Sequence, residues 1–351
     1  MLSSNNVNIS SRTALPSPGA IRSELPLSLE AIQKVLDARK QITDILDGKD
    51  HRQIVIVGPC SIHEPAAAME YAQRLAELSR KVQDQILIVM RAYFEKPRTT
   101  VGWKGLIYDP DINGSYNIER GIFLARKLLL RIIDLDLPVA TEVLDPIIAQ
   151  YIADSVAWAA IGARTTESQT HRQLASGLSM PVGFKNATDG SFQVALDAIA
   201  TARSVHSFIG VLEDGHVGVF RTSGNAYGHL VLRGGPQPNY GSEHIAFLKV
   251  AMRKAGLRPN IIVDCSHADS GKKAEKQHLV FEDVLAQLEA GEDAINGVML
   301  ESYLKAGNQK CSPGTTPAAD ISITDQCIGW EETESLILDA YQRLTRLHSG
   351  K

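Results

Sequence analysis

From about residue 53 onward, short apolar runs alternate with longer amphipathic stretches. The apolar runs are rich in β-branched residues: QIVIVG (53–58), ILIVMR (86–91), PVATE (138–142), WAAIG (158–162), PVGFK (181–185), HLVLR (229–233), NIIVDC (260–265) and INGVML (295–300). Between most of them lie segments such as AAAMEYAQRLAELSRKV, GIFLARKLLLRIIDL and VFEDVLAQLEAG, whose apolar positions recur at helical spacing. Strands that are apolar on both faces, separated by helices, predict a parallel sheet covered on both sides. Eight of them predict a closed (β/α)₈ TIM barrel, a fold of roughly 250 residues. An open, doubly wound sheet is the rival that strand number alone does not exclude. One segment, HSFIGVLEDGHVGVFRT (206–222), breaks the rhythm with two β-like runs around Glu213-Asp214-Gly215 and predicts an inserted β-hairpin.

Ahead of the repeating part, residues 1 to about 26 are rich in Ser, Asn and Pro and predict an extended or mobile arm. SLEAIQKVLDARKQITDILDG then carries Ile32, Val35, Leu36, Ile42, Ile45 and Leu46 on a helical period, with Ser28 as N-cap and Gly48 as stop. The expected division is an N-terminal arm and helix over 1–50, making oligomer or effector contacts, and a barrel over 51–351. Composition narrows the partners. With 36 Lys and Arg against 40 Asp and Glu, the formal net charge is −4, which gives no general field for nucleic acid or an anionic membrane. Any anion must be caught by a local cluster of cations. The four cysteines form no C-x-x-C pair, the start has no signal-peptide pattern, and no run of about 18 apolar residues is present. A cytoplasmic protein with reduced thiols is expected.

In such barrels the chemistry sits at the C-terminal strand ends. Read in order, those positions are Cys60, Arg91, Glu142, Arg164, Lys185, Arg233, His267 and Glu301. Any one of them alone reads as a solvated loop residue; eight in succession do not, since packing has no need of polar groups there. Arg91, Arg164, Lys185 and Arg233, joined by Lys96 and Arg98 of FEKPRTT, would repel one another unless they hold anions. More than one acidic group is implied, phosphate plus carboxylate. Arg126, Arg131 and Arg203 are expected in ordinary surface ion pairs. Cys60, His267 and Glu301, joined by Asp325, offer sulfur, nitrogen and oxygen donors, a mixture that suits a divalent transition ion better than Mg²⁺ or Ca²⁺. Cys265 and Cys327 are expected as small buried hydrophobes. Lys185 also fits a Schiff-base nucleophile, and the residues alone do not separate that role from anion holding.

The motifs GPCSIH (58–63), MRAYFEKPRTTVGWKGLI (90–107), AIGARTTESQ (160–169), PVGFKNATDG (181–190), LRGGPQPNY (232–240), DCSHADS (264–270) and SITDQCIGW (322–330) resemble those of the type I 3-deoxy-D-arabino-heptulosonate 7-phosphate synthases. The resemblance runs from about residue 30 to the C-terminus. It implies a (β/α)₈ barrel with an N-terminal extension and an inserted hairpin. It also implies condensation of phosphoenolpyruvate with erythrose 4-phosphate and water, the entry step of the shikimate pathway. One divalent ion (Mn, Fe, Co or Zn) would sit on Cys60, His267, Glu301 and Asp325. Phosphoenolpyruvate would meet Arg91, Lys96, Arg164, Lys185, Arg233 and the backbone N–H of Ala163, with Glu142 close by. Erythrose 4-phosphate would meet Pro97, Arg98 and Thr99. Lys185 then holds an anion, and Glu142 or His267 handles the proton of the attacking water.

The family's usual KNGTDG reads KNATDG here, with Ala187 in place of glycine. The hairpin region implies a feedback site for an aromatic amino acid, with Gln150, Leu174, Leu178, Ser179 and Phe208 as lining candidates. TSGNAYGHL and MLESYLKAGNQK look most like the tryptophan-sensitive branch, which puts tryptophan first, then tyrosine, then phenylalanine. A homodimer or homotetramer is implied. Two other readings stand beside this one: a metal-independent aldolase using Lys185, and a non-catalytic barrel that senses an aromatic amino acid.

Overall fold

The computed structural model describes residues 4–98, 100–311 and 316–349. In chain order the strands are β1 (Gln53–Gly58), β2 (Ile86–Arg91), β3 (Val139–Glu142), β4 (Trp158–Ile161), β5 (Val182–Lys185), β6 (Ser207–Val211), β7 (Val217–Arg221), β8 (Gly228–Leu232), β9 (Ile261–Asp264) and β10 (Ile295–Glu301). The helices are α1 (Pro18–Glu24), α2 (Leu29–Leu46), α3 (Pro65–Val82), α4 (Ile118–Asp134), α5 (Ala149–Ile152), α6 (Gln169–Ala175), α7 (Gln193–Ala202), α8 (Ser242–Lys254), α9 (Gln277–Glu289) and α10 (Trp330–Ser349). All strands except β6 and β7 form one closed parallel barrel, in the order β1-β10-β9-β8-β5-β4-β3-β2. Closure excludes the open sheet. The seam is made by β1, whose Gly58 pairs in register with Glu301 while Val57 pairs with Met90.

Alternation along the strands separates two apolar layers. Ile54 and Ile56 pack inside the barrel with Val89, Trp158, Ile262 and Met299. Val55 and Val57 face the surrounding helices. The inner layer continues into Ile42, Ile45 and Leu46 of α2, all buried. Arg39 of that helix donates to the carbonyls of Ala153 and Val156, just ahead of β4, so α2 closes the floor of the barrel. Each such side chain stabilises by about 1.5–3 kcal/mol on burial. The mouth at the opposite end is left for chemistry. As expected, Ser28 caps α2, its Oγ accepting from Ala31 N–H, and Gly48 follows at φ +66°. Ile32 and Leu36, however, are exposed and turn away from the floor.

Two expectations are corrected. The arm is not extended throughout, because residues 18–24 form α1. Ser17 caps that helix, Pro18 occupies its first turn, and Gly19 N–H donates to Glu213 O of the hairpin at 2.7 Å. Arg22 pairs with Glu213 as well. Arg126 is no surface residue. It is fully buried, forks onto Asp154 at 2.7 and 2.9 Å, and donates to the carbonyls of Leu25 and Tyr151. A guanidinium buried this completely needs partners for its donors, and these take four of its five N–H groups. The hairpin expected over 206–222 is β6 and β7, paired antiparallel with Phe208 opposite Phe220. Among the described residues, no helix is long and apolar enough to cross a membrane.

Candidate active site

The barrel register brings the strand ends together at one mouth. A cavity of about 160 Å³ there is lined by Arg91, Lys96, Pro97, Arg98 and Glu142 on one side. Ala163, Arg164, Lys185, Arg233, His267 and Asp325 line it as well. Thr99 lies outside the described residues. Cross-strand ties fix the loops that carry these groups. Thr166 Oγ1 donates within reach of Gly162 O and Lys185 O, both at 2.9 Å, binding the end of β4 to that of β5. Asn186 accepts from Arg233 N–H at 2.8 Å and donates to Gly234 O, binding β5 to β8. A Cβ at Gly162 would stand 2.2 Å from Glu142 Oε1, so a side chain there would displace the Glu142 carboxylate.

Below the cations lie the soft and acidic donors. Cys60 and Glu301 are fully buried, and their ligand atoms lie within 4.8 Å of each other and of an Asp325 oxygen. Arg91, itself buried, donates to Glu301 Oε1 at 2.8 Å, while Glu301 Oε2 has no hydrogen-bond partner. Cys60 Sγ receives Lys96 Nζ at 3.1 Å and Asp325 N–H at 3.4 Å. Burial and the nearby Glu301 push the Cys60 thiol up from its ordinary value. A buried carboxylate oxygen without a partner, beside a thiol and a second carboxylate, is a donor set that a divalent transition ion completes. The residues fit such an ion. His267 lines the same cavity but is not within that tight group of three. Its Nδ1 meets Asp264 Oδ2 at 2.8 Å, which leaves Nε2 as its remaining ligand atom. Burial lowers the His267 pKa, so the ring is neutral near pH 7.

Asp264 is a residue the sequence reasoning missed. Fully buried at the end of β9, it accepts from Lys185 Nζ at 2.7 Å and from Ser266 Oγ at 2.6 Å, besides meeting His267. Burial opposes its charge, yet His267 and Lys185 hold it well below the usual carboxylate range. Its signal was present. It ends an apolar strand where the other strands end in Arg91, Glu142 and Lys185. Lys272, Thr188 and Thr324 also line the mouth and carried no sequence signal.

The loop after β2 is cinched at its neck, where Lys96 N–H donates to Lys104 O at 2.9 Å. Next to that neck, buried Glu95 accepts from Asp145 N–H at 3.2 Å and so ties this loop to the one after β3. Burial, with Asp145 nearby, pushes the Glu95 carboxyl up to about 8.

A second, larger cavity of about 850 Å³ lies away from the mouth, between α2, α5, α6 and the hairpin. Gln150, Leu174, Leu178, Ser179 and Phe208 all line it, with Ile32 and Leu36 of α2. This accounts for the exposure of those two apolar residues. Phe208 and Phe220 stack in its wall with ring centroids 5.5 Å apart. Size does not make this cavity the chemical one, because it lacks the convergent donor set of the mouth.

The sequence profile of the DAHP synthetase I family matches residues 24–337. The Phe-sensitive phospho-2-dehydro-3-deoxyheptonate aldolase of Escherichia coli (strain K12) is 53% identical over 320 residues, 91% of each chain. The Tyr-sensitive form from the same organism is 49% identical over 341 residues, 97% of this chain and 96% of the relative. A Trp-sensitive form from Enterobacter agglomerans is 50% identical over 324 residues, 92% and 93% of the two chains. A solved structure of phospho-2-dehydro-3-deoxyheptonate aldolase from Francisella tularensis SCHU S4 matches with a TM-score of 0.93 and 45% identity, covering 96% of this chain and 99% of that one. The three sensitivities stand at nearly equal identity, so the tryptophan-sensitive branch is not singled out.

Proposed function

This chain belongs to the DAHP synthetase I family, and from that premise we propose how its barrel mouth carries out the family's reaction. The enzyme condenses phosphoenolpyruvate with erythrose 4-phosphate and water, the first step of the shikimate pathway, under feedback by an aromatic amino acid. The observation that carries the assignment of the site is the convergence at one mouth of four strand-end cations with the Cys60, Glu301 and Asp325 donors.

Arg91, Arg164, Lys185, Arg233 and the N–H of Ala163 hold the phosphate and carboxylate of phosphoenolpyruvate. Lys96 joins them from the loop after β2, and the same loop presents Pro97 and Arg98 to erythrose 4-phosphate, with Thr99, outside the described residues, as a further candidate contact. Cys60, Glu301 and Asp325 would hold a divalent ion such as Mn, Fe, Co or Zn, with His267, whose Nδ1 is taken by Asp264, as the fourth donor. When bound, that ion supplies Lewis-acid polarisation of an aldehyde oxygen. C3 of phosphoenolpyruvate bonds to the aldehyde carbon, whose oxygen takes up a proton. Water adds at C2, and phosphate departs with the bridging oxygen as the C–O bond breaks, leaving a ketone at C2. Glu142 takes the proton from that water, since His267 has Nδ1 committed to Asp264 and Nε2 to the ion. Lys185 Nζ is engaged by Asp264 at 2.7 Å, a contact that suits an anion holder better than a free Schiff-base nucleophile. A sensor without catalysis would have no use for this donor set.

We assign the larger cavity to the aromatic effector, with tryptophan first, then tyrosine, then phenylalanine. Residues 1–50 contribute part of its wall through α2, in keeping with an effector role for that segment. The exposed apolar side chains of Ile209, Val217 and Val219 on the hairpin, with Val7 and Ile9 of the arm, support a homodimer or homotetramer. A cytoplasmic location fits the free, buried Cys60 thiol. The test is turnover of the two phosphorylated substrates by the purified protein, with each aromatic amino acid added in turn. Retention of full activity after exhaustive chelation would remove the metal assignment, and borohydride trapping of substrate on Lys185 would restore the Schiff-base reading.

A further inference from the structure

Two successive residues after β9, Gly271 and Lys272, adopt the left-handed conformation, at φ +63° and +60°. Glycine is at home there, but a lysine is not, because its Cβ crowds the neighbouring carbonyl. Lys272 N–H donates to His267 O at 2.7 Å, so the strained turn is anchored to the loop that carries His267. Glycine or asparagine would meet the backbone requirement with less strain. Strain kept at the rim of a site points to a use for the side chain.

The use is legible in the charges. Lys272 lines the mouth cavity together with Arg98 and Asp325. Among the described residues, the Lys272 ammonium has no hydrogen bond or ion pair. Of the cations lining this cavity, the function proposed above employs five on phosphoenolpyruvate and Arg98 on the aldose phosphate. Lys272 is the remaining one. A phosphate monoester carries about two negative charges near neutral pH, and Arg98 already commits its Nε to Trp103 O at 2.8 Å. One cation leaves such a group underneutralised.

We propose that Lys272 is a second phosphate-binding residue for erythrose 4-phosphate. It reaches in from the loop after β9, while Arg98 reaches in from the loop after β2. The two loops would then hold the phosphate from different parts of the barrel. This inference rests on the function proposed above.

The test compares KM for the two substrates. Lys272→Asn keeps a residue tolerant of the left-handed conformation and removes the charge. It should raise KM for erythrose 4-phosphate by about 10–100-fold, as for loss of a charge-assisted hydrogen bond. KM for phosphoenolpyruvate should stay within about twofold, a split that a general structural role would not give. Lys272→Arg should restore most of the affinity, and Lys273→Asn, a neighbouring exposed lysine, should behave as wild type. Lys272→Gly should raise the melting temperature and yet lose the same affinity. The proposal is overturned if Lys272→Asn leaves KM for erythrose 4-phosphate within twofold of wild type, or raises both KM values alike. A wild-type protein that does not turn over the two substrates would overturn the proposed function instead.

Discussion

Replacing Asp264 by Asn should damage both stability and metal affinity, and the structure sets the size of each effect. The carboxylate is fully buried and accepts from Lys185 Nζ at 2.7 Å and Ser266 Oγ at 2.6 Å, with His267 Nδ1 at 2.8 Å. An amide has only one oxygen. Whichever way it is turned, its NH₂ faces donors, either Lys185 and His267 or the Ser266 hydroxyl and N–H. The Lys185 ammonium is then left buried without its counter-charge, a loss that costs about 3–5 kcal/mol when one partner of a buried pair is removed. His267 also loses the group that fixes which ring nitrogen carries the proton, an effect worth about 10–100-fold in metal affinity. Urea unfolding followed by circular dichroism measures the first quantity, and titration with Mn²⁺ measures the second. Adding Lys185→Met to Asp264→Asn removes the orphaned charge, so the double variant should recover most of the lost stability while remaining inactive. Unchanged unfolding and unchanged Mn²⁺ affinity in Asp264→Asn would refute the reasoning. So would a double variant whose losses simply add.

Glu95 gives a pH dependence of definite sign. Its carboxyl is raised to about 8 in the fold from an ordinary 4.5, so the folded state holds a proton that the unfolded chain gives up. Stability from this group is full below pH 4.5 and falls as pH rises toward 8, by up to about 1.4 kcal/mol per pH unit. Urea unfolding at successive pH values should show that slope in wild type relative to Glu95→Gln; parallel curves would count against it. Because burial holds the Cys60 thiol protonated, binding a divalent ion should release about one proton. Calorimetry with Mn²⁺ in buffers of different ionisation enthalpy should detect this release in wild type and not in Cys60→Ser. Phe208→Ala unstacks the wall of the larger cavity and should weaken inhibition by the effector at least tenfold, on the order of 1.4 kcal/mol, while leaving uninhibited turnover intact. Inhibition curves that superimpose with wild type would place the effector elsewhere.

The barrel was legible because parallel strands covered on both faces must be apolar throughout, and QIVIVG or ILIVMR has no other economical reading. The mouth was legible for a related reason: apolar strands ending in Arg91, Glu142 or Lys185 leave the polar groups at one end. What escaped depends on contacts distant in sequence. α1 is seven residues long, too short for periodicity to reveal, and it is held by Ser17 and by Glu213 of the hairpin. Arg126 reads as a surface charge until Asp154 and the carbonyls of Leu25 and Tyr151 are brought to it. Asp264 was passed over beside Cys265 and His267, since nothing local shows that Lys185 lies within hydrogen-bonding distance. The closing of the barrel floor by α2 also depends on tertiary packing, although its apolar stripe was plain.

The most direct test of the account follows phosphoenolpyruvate absorbance in the purified protein as erythrose 4-phosphate is added, before and after chelation. The expected result is loss of phosphoenolpyruvate only when both substrates are present, with one phosphate released per molecule consumed, abolished by chelation and restored by Mn²⁺. No consumption with both substrates and Mn²⁺ present, or undiminished turnover after exhaustive chelation, would contradict a metal-assisted condensation at this mouth.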